Sequence, residues 1–244
     1  MLHAIRYIPI ATTLLAVAFA WELGRRYRTR PGSLHLLWWC LGIVTYAVGT
    51  LTESLTTLLG WHEPVFRMWY ITGALLGGAP LAQGTVYLLL RRSLAHRLTK
   101  ILLLVISVAA ICALLAPINY DLVEAHRLSG RVWGWPWVRA FSPFINLYAV
   151  IFLIGGAILS AARYRREPHM HHRFVGNIWI AVGAILPGVG GSFTRMGYTE
   201  VLYVTELIGL ICIYVGYRMN TQAAPTVDRS ASSVPAAPSG VVVK

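Results

Sequence analysis

LHLLWWCLGIVTYAVGTLTESLTTLL, residues 34–59, is the run that decides how this chain folds. As a helix at 1.5 Å per residue it would reach about 39 Å, more than the roughly 30 Å of hydrocarbon in a bilayer. Its one carboxylate, Glu53, sits among hydroxyls in Thr50-Leu51-Thr52-Glu53-Ser54. An ionisable group in a membrane-length segment is costly, so Glu53 is expected to face protein rather than lipid and to mark a place where the chain does something.

Working outward, six further apolar runs appear at 7–23, 65–90, 101–118, 141–162, 174–193 and 201–217. Each is long enough to span as a helix. The composition agrees: 57% of residues are hydrophobic and 12% charged, too apolar for a soluble domain that must solvate its whole surface. The expected fold is therefore all-α, a polytopic membrane bundle of seven transmembrane helices forming one domain over 1–218. Residues 219–244 are rich in Ala, Pro, Ser and Val without a periodic apolar face, and read as a disordered cytoplasmic tail.

The net charge of +12 would suggest nucleic acid in a soluble protein. Here the basic residues cluster beside apolar runs, where orientation and anionic lipid explain them, so no nucleic-acid partner is expected. With the amino terminus outside, Arg25, Arg26, Arg28, Arg30, then Arg91, Arg92, Arg97, Lys100, then Arg163, Arg165, Arg166, Arg173, and finally Arg218, Arg229 and Lys244 are cytoplasmic, 15 of the 21 basic residues. The first run also fits a secretory signal peptide ending at Ala18-Phe19-Ala20. Cleavage there would move three of these clusters to the outer face, against the positive-inside tendency, and the first run is kept as a helix. Cys40, Cys112 and Cys212 lie singly in apolar runs and read as small core residues.

Two spans carry breaks: Gly73-Ala74-Leu75-Leu76-Gly77-Gly78-Ala79-Pro80 in the third, and Gly183-Ala184-Ile185-Leu186-Pro187-Gly188-Val189-Gly190-Gly191 in the sixth. Small residues let backbones approach closely, and interrupted helices can frame a midplane site, so both spans are expected to kink.

Orientation also sets depth. Glu53 in the second span and Glu206 in the seventh fall several ångströms in from the outer ends, with Asn146 near the outer start of the fifth and Arg195 just beyond the sixth. Thr50 and Tyr46 share the face of Glu53 by helical spacing, and Tyr203 shares that of Glu206. The expectation is an outer-half polar layer of Glu53, Thr50, Tyr46, Asn146, Arg195, Tyr203 and Glu206, with Arg195 pairing one of the carboxylates. Two readings stay open: a ligand or ion pocket, or interhelical hydrogen bonds that only fix the bundle. The loop 119–139, with Arg131-Val132-Trp133-Gly134-Trp135-Pro136-Trp137, reads either as an interfacial anchor or as a flap over a ligand.

At the basic end, His35, His96, His169, His171 and His172 share a depth and are candidates for a metal, or two of them for a haem iron. No HExxH, GxSxG or phosphate loop occurs, no catalytic residue is assigned, and an enzymatic role is not expected.

Seven helices with an outside amino terminus look like microbial rhodopsins and seven-helix sensor modules. A retinal Schiff base is excluded, because the only lysines are Lys100 and Lys244 and none lies in the seventh span. A three-plus-one-plus-three sugar transporter of the SWEET type has the same topology, but the Pro-Gln dipeptide of its relatives is absent. Trp69-Tyr70-Ile71-Thr72-Gly73-Ala74, Gln83-Gly84-Thr85-Val86-Tyr87-Leu88-Leu89, Gly176-Asn177 and Glu206-Leu207-Ile208-Gly209 resemble uncharacterised bacterial seven-helix membrane proteins. That resemblance covers the second to seventh spans and implies a fold and an inner-membrane location, with no activity attached. The functions expected are a ligand-binding or sensory bundle working with a separate membrane or cytoplasmic protein, or a small transporter or proton-coupled carrier using the third and sixth spans, or a haem or metal protein.

Overall fold

The computed structural model describes residues 5–221; residues 1–4 and 222–244, and the side chains of Pro168 and Arg195, fall outside that description. Seven helical spans build an all-α bundle: α1 (Ile8–Thr29), α2 (Leu34–Leu59), α3 (63–89), α4 (Arg92–Leu115), α5 (141–164), α6 (His171–Arg195) and α7 (Thr199–Thr221). Six of them are long and apolar enough to cross a membrane. The exception is α3, which is assembled from two short helices, Glu63–Trp69 and Ala79–Leu89, joined through a π turn at Tyr70–Leu75.

Local chemistry sets the ends. Proline sits in the first turn of α1 and of each helical piece of α3, where its missing N–H costs nothing. Gly32, Gly60 and Gly197 take positive φ in the tight connections after α1, α2 and α6, a conformation that L side chains rarely adopt. The carboxyl end of α4 is capped from a distance. Arg67 donates to the carbonyls of Ala113 at 2.6 Å, Leu114 at 3.0 Å and Ala116 at 3.0 Å, oxygens that have no partner within the helix. Its Nε is held by Glu63 at 2.8 Å, and its guanidinium lies 5.4 Å from the Trp133 ring centroid.

In the bundle α1, α2, α3, α5, α6 and α7 contact in a closed ring, with α7 returning to α1, while α4 packs outside against α3 and α5. The first span is a full member of that ring. It buries Ala16, Phe19 and Leu23, and its Glu22 accepts from Tyr214 of α7 at 3.0 Å. Side chains such as Trp21, Leu104 and Leu115 point outward, as expected of faces solvated by lipid. Within lipid the hydrophobic effect does not drive helices together, so close packing must. The tightest case is α6 on α7, where a Cβ at Gly209 would lie 2.8 Å from the Gly183 carbonyl oxygen and one at Gly176 would lie 2.9 Å from that of Gly216.

One expectation about breaks is corrected. The sixth span is not interrupted: α6 runs on as one helix with Pro187 inside it. The second irregular span is instead α5, with a π segment at Val150–Ile154 between Phe141–Ala149 and Gly155–Tyr164. The seventh helix continues to Thr221, taking in residues 219–221. The rest of the expected tail, 222–244, lies outside the described residues.

Candidate functional site

The π turn in α3 is where the site begins. A π turn pairs residues five apart, as Leu76 N–H does with the Ile71 carbonyl at 2.9 Å, and so leaves neighbouring carbonyls out of the α-helical ladder. The carbonyl of Ala74 is one of these. It accepts from Ser142 Oγ at 2.8 Å and from Asn146 Nδ2 at 3.1 Å, both on the first turns of α5. Asn146 is thus held by the backbone break in α3.

The same irregular stretch is preceded by Trp69, whose indole Nε1–H donates to Glu53 Oε1 at 3.0 Å. Glu53 is only 3% exposed. Its neighbour across the ring is Glu206 of α7, and the two carboxyls lie within electrostatic reach of each other. Among the described residues, Oε2 of Glu53 and Oε2 of Glu206 are buried with no hydrogen-bond partner. Glu53 stands six residues before the end of α2 and Glu206 seven after the start of α7, about 9 Å and about 10 Å inside.

Tyr46, two turns before Glu53, donates its hydroxyl to the Glu206 backbone carbonyl at 2.9 Å, tying α2 to α7 at this depth. Thr50 accepts from Thr13 of α1 at 2.9 Å. Tyr203 is buried within electrostatic reach of both carboxyls.

These groups surround one cavity of about 410 Å³ inside the ring. Tyr46, Thr50, Glu53 and Glu206 line it, with Asn146 and Ser142 from α5; Leu81, Leu153 and Ile154 give it an apolar depth. The π segments of α3 and α5 both contribute wall. Of the expected layer, Glu53, Thr50, Tyr46, Asn146 and Glu206 come together around this space, whereas Tyr203 is not part of its wall. The Arg195 side chain lies outside the described residues. Among the described residues, no ion pair reaches either carboxyl.

The long loop 116–140 covers the end of the cavity. Its base is closed by Asn119 N–H to the Val132 carbonyl at 2.7 Å and Gly134 N–H to the Pro117 carbonyl at 2.8 Å. It is tied down by Arg127 to the Thr194 carbonyl at 3.3 Å and by Tyr70 to the Val138 carbonyl at 3.2 Å. Trp133, 3% exposed, is buried against Phe66 and Tyr70, while Trp135 and Trp137 face outward, stacked at 5.7 Å. The loop is therefore partly core and partly surface, and its Ser129, Gly130, Arg131 and Arg139 form cavity wall.

Three features escape a reading of runs and spacings. Trp69 could be seen only as an aromatic before a glycine-rich stretch. Gln83, wholly buried, donates to the Ala95 carbonyl at 3.2 Å and Thr99 at 2.8 Å and accepts from Tyr148, joining α3, α4 and α5; an amide deep in an apolar run was its available signal. Arg67 was visible only as a charge near a span end.

The histidines are not gathered. His35 packs on Trp39, His96 bonds Tyr87 at 2.9 Å, and His171 packs on Phe174. Among the described residues, no group of three or more His, Cys, Asp or Glu side chains is placed to hold a metal ion.

Comparisons with protein-family models, with curated proteins and with solved structures find no match. The class is set by architecture: a seven-helix, largely membrane-spanning all-α bundle.

Proposed function

We propose that this chain is a ligand-binding, receptor-like seven-helix membrane protein whose binding site is the cavity around Glu53 and Glu206. The observation that carries the reading is that a cavity of about 410 Å³, in the size range of small-molecule sites, has its polar groups converging on one layer. A bundle held by interhelical hydrogen bonds alone has no need of that space. We place the basic end in the cytoplasm and the loop 116–140 outside, following the arginine distribution, in a bacterial inner membrane as the resemblance implies. A response would then pass to a separate membrane or cytoplasmic protein.

The test is thermal unfolding of the purified protein against cationic, neutral and anionic aromatic amphiphiles. At least one charge class is expected to raise the melting temperature of wild type, and Asn146→Ala, Glu53→Gln and Glu206→Gln should fold while changing that response. A panel that never moves the wild-type melting temperature ends the reading.

A second reading, a small transporter, draws on the two π segments that face the same cavity from α3 and α5. Such segments recur at functional sites and give a helix a place to bend. It requires access from both membrane faces, and single-cysteine labelling near Pro80 and Pro187 from one face only, in every condition, would remove it.

A further inference from the structure

We propose that the cavity is entered sideways, from the outer leaflet, through a slot between α5 and α6. Its ligand is a single-chain amphiphile with a compact, hydroxyl-bearing head, which sits among the converging polar groups while the tail runs out through the slot. This rests on the reading of the cavity as a ligand site and names the ligand's class and route.

The slot follows from how α5 packs. Its inner pieces, Val150–Ile154 and Gly155–Tyr164, lie against α6, whereas the outer piece Phe141–Ala149 turns instead to α3 and α4. The Ala74 carbonyl holds that outer piece on the α3 side through Ser142 and Asn146. On α5 and α6, four residues consequently belong to the cavity wall and to the exposed surface at once: Pro143, Val150, Gly188 and Ser192. They are the lips of an opening. A Cβ at Gly188, or at Gly191 beside it in the wall, would meet nothing within 4 Å, so the α6 lip has unfilled room.

The opening lies at the level of lipid. Val150 stands nine residues after the start of α5 and Gly188 seven before the end of α6, about 13 Å and about 10 Å inside the outer ends and so within hydrocarbon depth. Leu147 and Ile151 on α5, with Ile185 and Val189 on α6, are exposed beside it and make the approach apolar. The approach from water is covered. The loop 116–140 is tied to α2 by His126 Nδ1 on the Thr56 carbonyl at 3.3 Å, to α3 by the Tyr70 hydroxyl on the Val138 carbonyl, and to α6 by Arg127 on the Thr194 carbonyl.

A route through hydrocarbon selects molecules that the bilayer concentrates, and each added methylene raises that concentration. At about 410 Å³ the space is at the small end of ligand sites, which limits the entrant to a compact head on one chain. Inside, Oε2 of Glu53 and Oε2 of Glu206 are buried acceptors without a partner, and Asn146 and Ser142 also line the wall. Hydroxyl groups suit such a wall, since they donate as well as accept. Charge does not choose the head, because the wall carries Arg131 and Arg139 as well as Glu53 and Glu206. Leu153 and Ile154 on α5, with Ala184 on α6, give the first part of the tail an apolar bed.

The experiment is photolabelling of the full chain in nanodiscs with a monoacylglycerol that carries a diazirine beside its ester, the labelled residues being read by peptide mass spectrometry. Expected is labelling of Leu81 and Leu153, which are buried and out of reach of bulk lipid, besides that of outward side chains such as Leu104 on α4. Excess unlabelled monoacylglycerol should compete at the inner pair and not at Leu104. Gly188→Phe, and separately Val150→Trp from the facing lip, should abolish the inner labelling and leave Leu104 labelled as in wild type. The wild-type result stands even if a variant does not fold. Inner labelling that is undiminished in a folded plugged variant overturns the inference, as does wild-type labelling confined to outward faces. If labelling is confined in that way while a member of the amphiphile panel raises the melting temperature in an Asn146-dependent manner, this inference falls and the ligand-site reading stands. If no member of the panel does so either, both fall.

Discussion

The indole of Trp69 donates to Glu53 Oε1 at 3.0 Å from the turn just before the π segment of α3, so the helix break and the buried carboxyl are one construction. Trp69→Phe keeps most of the ring and removes the donor. A buried acceptor stripped of its partner costs about 1–3 kcal/mol. Chemical or thermal unfolding in micelles should show a loss in that range, with the spans intact by circular dichroism. A Phe variant as stable as wild type would mean that the contact carries no weight.

The α6–α7 seam separates glycines that pack from glycines that do not. Gly209→Ala puts a Cβ 2.8 Å from a backbone oxygen and 3.1 Å from Pro187 Cδ, neither of which yields cheaply. Overpacking of this kind costs about 1–3 kcal/mol. A Cβ at Gly188 meets nothing within 4 Å, although Gly188 is cavity wall. Gly188→Ala should therefore fold with wild-type stability or slightly better, since Ala is the stronger helix former, while narrowing the cavity and altering ligand response. Paired melting curves check the first half and the ligand panel the second.

The seven spans were legible because apolar length is a property of sequence alone, and depth followed from counting residues along them. That is why Glu53, Glu206 and Asn146 could be expected in one layer. Axial rotation is different: which faces meet depends on packing across helices, so Trp69 as the partner of Glu53 and the meeting of Gln83 with Thr99 and Tyr148 were out of reach. Pro187 shows the limit of local rules. A proline removes one ladder bond, yet α6 runs on through Pro187, whose ring packs beside Gly209 of α7. In α5 the π segment Val150–Ile154 contains neither proline nor glycine, and no residue announces it.

Arg67 joins α3 to the end of α4, and its three carbonyl acceptors make it more than a surface charge. Arg67→Ala should leave those carbonyls without donors and cost about 1.5–3 kcal/mol, the range of bonds to charged groups. Amide exchange in the loop 116–140 should rise. Arg67→Lys should recover only part of this, because a compact ammonium cannot reproduce the planar fork.

The Tyr120 hydroxyl donates to the Glu63 carboxylate, which pushes the phenol above its ordinary value. A folded value above the unfolded one means that this bond supports the loop below about pH 10 and is lost as pH rises through the folded value. Ultraviolet titration should show one phenol titrating late among the exposed tyrosines, absent in Tyr120→Phe, and that variant should lose the alkaline dependence of loop exchange.

The most direct test of the central claim is an experimental structure of the protein extracted with its native lipid. The expected result is non-protein density in the ring between Trp69, Asn146, Glu53 and Glu206, with both carboxyls lining it. A ring closed by side chains, with no cavity and the two glutamates facing separate surroundings, would contradict it.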